Sequence, residues 1–204
     1  MARIGLMGGS FNPVHLGHIH LAKAALDSGL TDRVLFLPSG NPPHKRQGLA
    51  DKMDRLAMVQ LAVEGQEGMG VCREEIDREG VIYTVDTLTR LREASAGDRL
   101  VYLIGADTLC VLHTWRRAED VVRLCEFLVL MRGGEDEEKT REAAERWRAK
   151  GAQITFLTAD TMDVSSTMVR ALAAQGASLA GLVPAAVEAY IVSHALYREI
   201  GENR

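Results

Sequence analysis

Residues 4–20 read Ile4-Gly5-Leu6-Met7-Gly8-Gly9-Ser10-Phe11-Asn12-Pro13-Val14-His15-Leu16-Gly17-His18-Ile19-His20. The apolar run from Ile4 to Met7 predicts a buried strand. It breaks on Gly8-Gly9-Ser10, passes Asn12-Pro13, which suit a turn entering a helix, and meets a helical pattern with Leu21, Ala22, Ala25 and Leu26 on one side. Strand, glycine turn and helix start together present backbone N–H groups and a helix dipole to a phosphate. Glycines at the turn let backbone approach a ligand where a Cβ would clash.

His15 and His18 stand three residues apart, so a helix puts them on one face, and Gly17 between them keeps that face open. Two imidazoles beside a phosphate loop can donate hydrogen bonds to phosphoryl oxygens as charge builds on them. A zinc pair is the other use of His-x-x-His, with His20 following. His20, however, falls on another side of the helix, and no Cys or carboxylate lies nearby to complete a zinc shell, so no protein-held metal is expected. The chain lacks Gly-x-x-x-x-Gly-Lys-[Ser/Thr], and its glycines do not fit Gly-x-Gly-x-x-Gly, which points away from Walker-type and redox dinucleotide loops.

Beyond this stretch, apolar runs and periodic segments alternate. Strands are expected at Arg33–Pro38, Val71–Ile76, Leu100–Ile104, Phe127–Met131 and Ile154–Leu157. Helices are expected at Asp51–Val63 (stripe Met53, Leu56, Ala57, Leu61), from Thr84 to Leu91, over the charged segment Glu135–Lys150, and at Ser165–Ala174 and Pro184–Leu196. The alternation predicts an α/β protein, a Rossmann-like doubly wound parallel sheet with helices on both faces. It forms a single domain over 1–204 with a small C-terminal helical part from about residue 165, and ligands should sit beyond the carboxyl ends of the strands.

The 204 residues suffice for one large core. A net charge of −4 argues against general nucleic-acid binding. Cys72, Cys110 and Cys125 show no paired spacing, which suits a reducing compartment. No apolar run approaches a membrane span and the chain opens on a strand rather than a leader, so a cytoplasmic protein is expected.

Four further stretches carry polar residues at strand ends or helix starts. Ser39-Gly40-Asn41-Pro42-Pro43-His44-Lys45-Arg46 reads as a phosphate-clamping loop or, favoured on composition alone, as a proline turn with solvated basic residues. In Glu75-Ile-Asp-Arg78-Glu-Gly80-Val-Ile82-Tyr83-Thr84-Val-Asp-Thr87-Leu88, Thr84 is a candidate N-cap, and the N–H groups behind it could hold a carboxylate. Gly105-Ala106-Asp107 follows a strong strand, so Asp107 could accept from ribose hydroxyls, and Trp115 offers either core packing or a stacking face. Arg116 and Arg117 read as surface charges. In Val164-Ser165-Ser166-Thr167-Met168-Val169-Arg170, hydroxyls open a helix and Arg170 lies one turn beyond Ser166. Hydroxyls, N–H groups and a guanidinium together suit a polyphosphate.

Gly8-Gly9-Ser10-Phe11-Asn12-Pro13-Val14-His15-Leu16-Gly17-His18 resembles the signature of the nucleotidyltransferase superfamily that carries His-x-x-His. Asn-Pro-Pro-His-Lys at 41–45, Arg-x-Gly-x-x-Tyr-Thr-x-x-Thr-Leu at 78–88, Gly-x-Asp with Trp115, and Ser-Ser-Thr-x-x-Arg at 165–170 are similar, in that order, to the bacterial nicotinate mononucleotide adenylyltransferases. Leu182-Val183-Pro184 matches the C-terminal pattern as well. Ile82 stands where that family usually has serine, and Asn12 where many members have aspartate.

The resemblance implies adenylyl transfer from ATP to nicotinate mononucleotide, with Mg²⁺ bound through the ATP phosphates. It implies His18, His15 and Arg170 as catalytic residues. ATP would be bound by Gly8, Gly9, Ser10, Phe11, His15, His18, Gly105, Asp107, Ser165, Ser166, Thr167 and Arg170. The mononucleotide would be bound by Asn12, Lys45, Tyr83, Thr84 and Trp115. It allows a homo-oligomer. Activity on the amide mononucleotide or on phosphopantetheine, and a non-catalytic nucleotide sensor, remain as alternatives.

Overall fold

A computed structural model describes residues 1–40, 48–131, 137–160 and 162–198. Asn41–Gln47, with Lys45, lie outside the described residues. The chain runs β1 (Arg3–Gly9), α1 (Leu16–Asp27), β2 (Arg33–Pro38), α2 (Lys52–Val63), β3 (Met69–Val71), α3 (Thr84–Ala94), β4 (Arg99–Gly105), α4 (Ala106–Val111), α5 (Ala118–Leu124), β5 (Glu126–Met131), α6 (Glu137–Arg148), β6 (Ile154–Thr158), α7 (Ser166–Ala174) and α8 (Ala185–Ser193). A 3₁₀ turn at Leu112–Thr114 joins α4 to α5.

All strand pairs are parallel, and the order is β3-β2-β1-β4-β5-β6. This is the doubly wound α/β arrangement, with its switch point between β1 and β4. The period-2 alternation of strands divides the core in two. Leu100, Tyr102 and Ile104 of β4, with Phe127, Val129 and Met131 of β5, face α3 to α6. Val101, Leu103, Leu128 and Leu130 face α1, α2, α7 and α8. The C-terminal helices therefore share a core with the sheet through Val169, Ala173, Val187 and Ile191.

Some expected boundaries shift. β1 continues through Gly8 and Gly9, which pair with Leu37 and Pro38. β3 lies at Met69–Val71 rather than Val71–Ile76. Beyond Val71 the chain turns, Asp77 N–H reaching back to Arg73 O at 3.1 Å, and this places Ile76 and the Glu75 carboxyl inside. α2 buries Arg55, Leu56, Met58, Val59, Ala62 and Val63 instead of the expected stripe, and leaves Met53 half exposed. α8 ends at Ser193 because Ala195 and Tyr197 adopt left-handed backbone, with φ of 50° and 63°. α4 and α5 have only 6 and 7 residues, too few to show a period.

Candidate active site

The polar residues gather at the carboxyl edge of the sheet. His15 is the N-cap of α1 and His18 its third residue, and the two form a reciprocal capping box in the manner of Ser and Glu. Their rings stack with centroids 3.7 Å apart and planes 30° from parallel. The His15 backbone N–H donates to His18 Nδ1 at 3.2 Å. With Nδ1 accepting, the neutral His18 ring carries its proton on Nε2, which makes Nε2 a donor away from the helix start. The Phe11 ring meets His18 edge-on at 5.1 Å, so the imidazole is fixed between two rings. Gly17 is packed tightly, since a Cβ there would lie 3.1 Å from both His15 Nδ1 and Val164.

Gly8, Gly9 and Ser10 carry the chain from β1 to this turn. The Tyr102 hydroxyl occupies the place a Gly8 Cβ would need. Phe11 has φ 46° and a fully buried ring, which leaves only its backbone to line a nucleotide.

Asn12 is 6% exposed. Its Nδ2 donates to Gly48 O at 2.9 Å, and its Oδ1 accepts from Ala50 N at 3.0 Å and from the Tyr197 hydroxyl at 2.9 Å. The side chain expected to meet the mononucleotide is engaged inside the fold. Burial pushes the Tyr197 phenol up, so it stays a protonated donor.

α7 arrives from the other end of the sequence. Ser165 caps it, its hydroxyl accepting from Met168 N at 3.1 Å. The Ser166 hydroxyl donates to Pro13 O at 2.8 Å. Its hydroxyl proton is therefore directed into the turn, and what it presents outward is the N–H of the helix start. Arg170 Nη1 donates to Asn12 O at 2.8 Å and Nη2 to Thr167 Oγ1 at 3.3 Å. Helix N–H groups, the exposed Thr167 hydroxyl and a guanidinium thus stand beside the two histidines, a set of donors suited to phosphate oxygens.

Across the β1–β4 switch point lies a second group. Gly105 is the N-cap of α4 and Asp107 is exposed in its first turn, where Oδ1 accepts from Thr108 N at 2.7 Å. The half-buried Trp115 sets its ring against Tyr102 at 5.8 Å, planes 80° apart. Core packing and an open ring face are thus combined in one indole. The Arg116 guanidinium lies 4.6 Å above the Tyr83 ring, whereas Arg117 pairs with Asp120 at 2.7 Å.

Thr84 is the first residue of α3 and not its cap. Tyr83 holds that position without a side-chain cap bond. Burial pushes the nearby Tyr102 phenol up. Beneath α3, the Thr87 hydroxyl donates to Glu75 Oε1 at 3.0 Å, and burial raises the Glu75 carboxyl to about 7. Ile82, in the place of the usual serine, is buried against Gly40.

Tyr102 and Glu75 were not singled out by sequence. Tyr102 could have been found as a polar tip in an otherwise apolar strand, and Glu75 as the acid directly ahead of an isoleucine in Glu74-Glu75-Ile76-Asp77.

The Cytidylyltransferase-like family model matches residues 6–172. A protein of Pseudomonas fluorescens named "Probable nicotinate-nucleotide adenylyltransferase" is 39% identical over 96% of this chain and 97% of its own length. One of the same name from Neisseria meningitidis serogroup C is 41% identical over 98% and 100%. The structure of Plasmodium falciparum nicotinic acid mononucleotide adenylyltransferase complexed with NaAD covers 97% of this chain and 98% of its own, with a TM-score of 0.79 at 16% identity. At that identity the likeness concerns the fold. The chain belongs to the Cytidylyltransferase-like family, and within it to the group whose full-length members carry the name nicotinate-nucleotide adenylyltransferase.

Proposed function

We propose that this chain joins ATP and nicotinate mononucleotide into deamido-NAD and pyrophosphate. The observation that carries the reading is the stacked His15–His18 pair just after Pro13, whose carbonyl takes the Ser166 hydroxyl at the start of α7, in a chain about 40% identical to adenylyltransferases over their full length. An oxygen of the mononucleotide phosphate attacks the α-phosphorus of ATP in line. The new Pα–O bond forms as the bond to the bridging oxygen of the β-phosphate breaks, and pyrophosphate leaves with that electron pair. The attacking oxygen is already ionised at neutral pH, so no protein nucleophile is required. The protein's part is orientation and stabilisation of growing negative charge.

His18 Nε2 donates to the α-phosphate, with His15 holding the ring. The N–H groups of Ser166 and Thr167, the Thr167 hydroxyl and Arg170 hold the β- and γ-phosphates. The backbone of Gly8 to Phe11 lies along the nucleotide, and Gly105 and Asp107 meet the ribose. Tyr83, Thr84 and Trp115 form the nicotinate side, with Lys45 added from outside the described residues.

Among the described residues no group of three or more His, Cys, Asp or Glu surrounds one point. The site therefore suits a Mg²⁺ that arrives on the triphosphate and is held by phosphate and water, where it would neutralise phosphate charge. No helix among the described residues is long and apolar enough to cross a membrane, and a cytoplasmic enzyme with these two small-molecule substrates is the reading adopted.

The test is pyrophosphate release with ATP and Mg²⁺, comparing nicotinate mononucleotide, its amide and phosphopantetheine. Clear preference for the acid is expected. Preference for the amide would keep the chemistry and overturn the assigned pocket. Silence with all three would overturn the enzyme.

A further inference from the structure

Arg55 lies on α2, is 1% exposed, and has no part in the reaction described above. Its recorded hydrogen-bond acceptors are all uncharged oxygens. Nη1 donates to Ser10 O at 2.7 Å, Nη2 to Ser39 O at 2.7 Å and Gly40 O at 3.0 Å, and Nε to Ala50 O at 3.2 Å. A longer contact of 3.5 Å joins Nη1 to Ser39 Oγ. Ser10 follows β1, Ser39 and Gly40 follow β2, and Ala50 precedes α2. One planar fork thus ties three backbone segments where they converge on the carboxyl edge of the sheet.

Taking a guanidinium out of water is unfavourable by several kcal/mol before its hydrogen bonds compensate. An apolar side chain of similar volume would fill the space without that penalty. The fork therefore answers a need other than filling volume.

Peptide geometry identifies that need. In a planar trans peptide the C=O and the following N–H point in opposite directions. Ser10 O is drawn toward Arg55, so the Phe11 N–H is turned away from it. Phe11 has φ 46°, a conformation that a bulky residue seldom adopts unless its surroundings impose it.

We propose that Arg55 is a positioning residue of the phosphate-binding turn. It fixes the spacing of the loops after β1 and β2 and turns the Phe11 N–H toward the anionic phosphates of the substrates. This rests on the adenylyl-transfer reading.

Arg55→Lys keeps a charge but loses the fork. Val59→Ala, buried on the same helix, serves as a control for lost stability. Thermal midpoint, kcat, KM and pyrophosphate affinity are measured on the full chain at a temperature where all variants are folded. Arg55→Lys is expected to lose about tenfold or more in kcat/KM and to bind pyrophosphate several-fold more weakly, while Val59→Ala keeps both within about twofold. A folded Arg55→Lys protein that behaves like Val59→Ala overturns the proposal.

If Arg55→Lys does not fold, the parent decides. Its Phe11 amide resonance should move on titration with pyrophosphate, and a resonance that stays still overturns the proposal. A parent that binds pyrophosphate with that movement, yet releases none from ATP with any mononucleotide, would reject the activity and leave Arg55 in its positioning role.

Discussion

The two sides of the cleft are built differently. On the β1–α1–α7 side the functional groups are held by hydrogen bonds between residues far apart in sequence. Ser166 reaches Pro13, Arg170 reaches Asn12, and Tyr197 reaches Asn12 across 185 positions. On the β4–α3 side the contacts are mostly between rings and a cation: Trp115 on Tyr102, and Arg116 over Tyr83. Directional bonds fix a group to within a few tenths of an ångström, whereas ring contacts fix a wall and tolerate sliding. The first side is suited to reacting atoms and the second to recognising a flat heterocycle. Catalysis and recognition should therefore separate under mutation.

The largest expected effect lies on the rigid side. His18→Ala should lower kcat by about two to three orders of magnitude, the usual effect of deleting a donor to developing charge, with the circular dichroism of the parent. A near-normal kcat in the folded variant would remove His18 from the chemistry and erase the contrast.

The next lies beneath the recognition side. Burial raises the Glu75 carboxyl from 4.5 to about 7, so the folded protein holds a proton there that the unfolded chain releases. Stability from this group is present below about pH 4.5 and is lost as pH rises through about 7. Glu75→Gln should therefore gain on the parent by up to about 3 kcal/mol at pH 8 and by little at pH 4, read from unfolding at both pH values. A gap independent of pH would refute the assignment.

Trp115→Ala should raise KM for the mononucleotide about tenfold and leave that for ATP nearly unchanged, a loss of about 1.4 kcal/mol of ring contact. Equal effects on both substrates would merge the two sides. The smallest effect belongs to Tyr197→Phe. Loss of one hydrogen bond to Asn12, about 1 kcal/mol, should lower kcat several-fold and spare both KM values. A change in mononucleotide KM alone would move Tyr197 to the recognition side.

What could be read without coordinates follows the same division. The Gly8–His18 turn, the strands other than β3 and the helix start near Ser165 are patterns carried by short runs of sequence, and their element types held. Asn12 shows the limit. Its residue type and place in the motif suited a ligand contact, but its partners Gly48, Ala50 and Tyr197 lie 36 to 185 positions away and leave no local trace. Arg55 was hidden by a default, since a charge inside a helical pattern is assigned to solvent. It nevertheless falls in line with Leu56, Val59 and Ala62 on the buried face, and an arginine in step with an apolar stripe is a signal worth following. Thr84 was displaced by a single residue, which is enough to give the cap position to Tyr83.

The Tyr197–Asn12 bond has a consequence for synthesis. The turn that leads into both histidines is made 185 positions before the tyrosine that braces it. A nascent chain long enough to form all 6 strands still lacks that brace. Completion of the turn is thereby coupled to synthesis of the whole sheet and of α7 and α8 after it, and chains that stop short of Tyr197 carry the histidines without their finished setting.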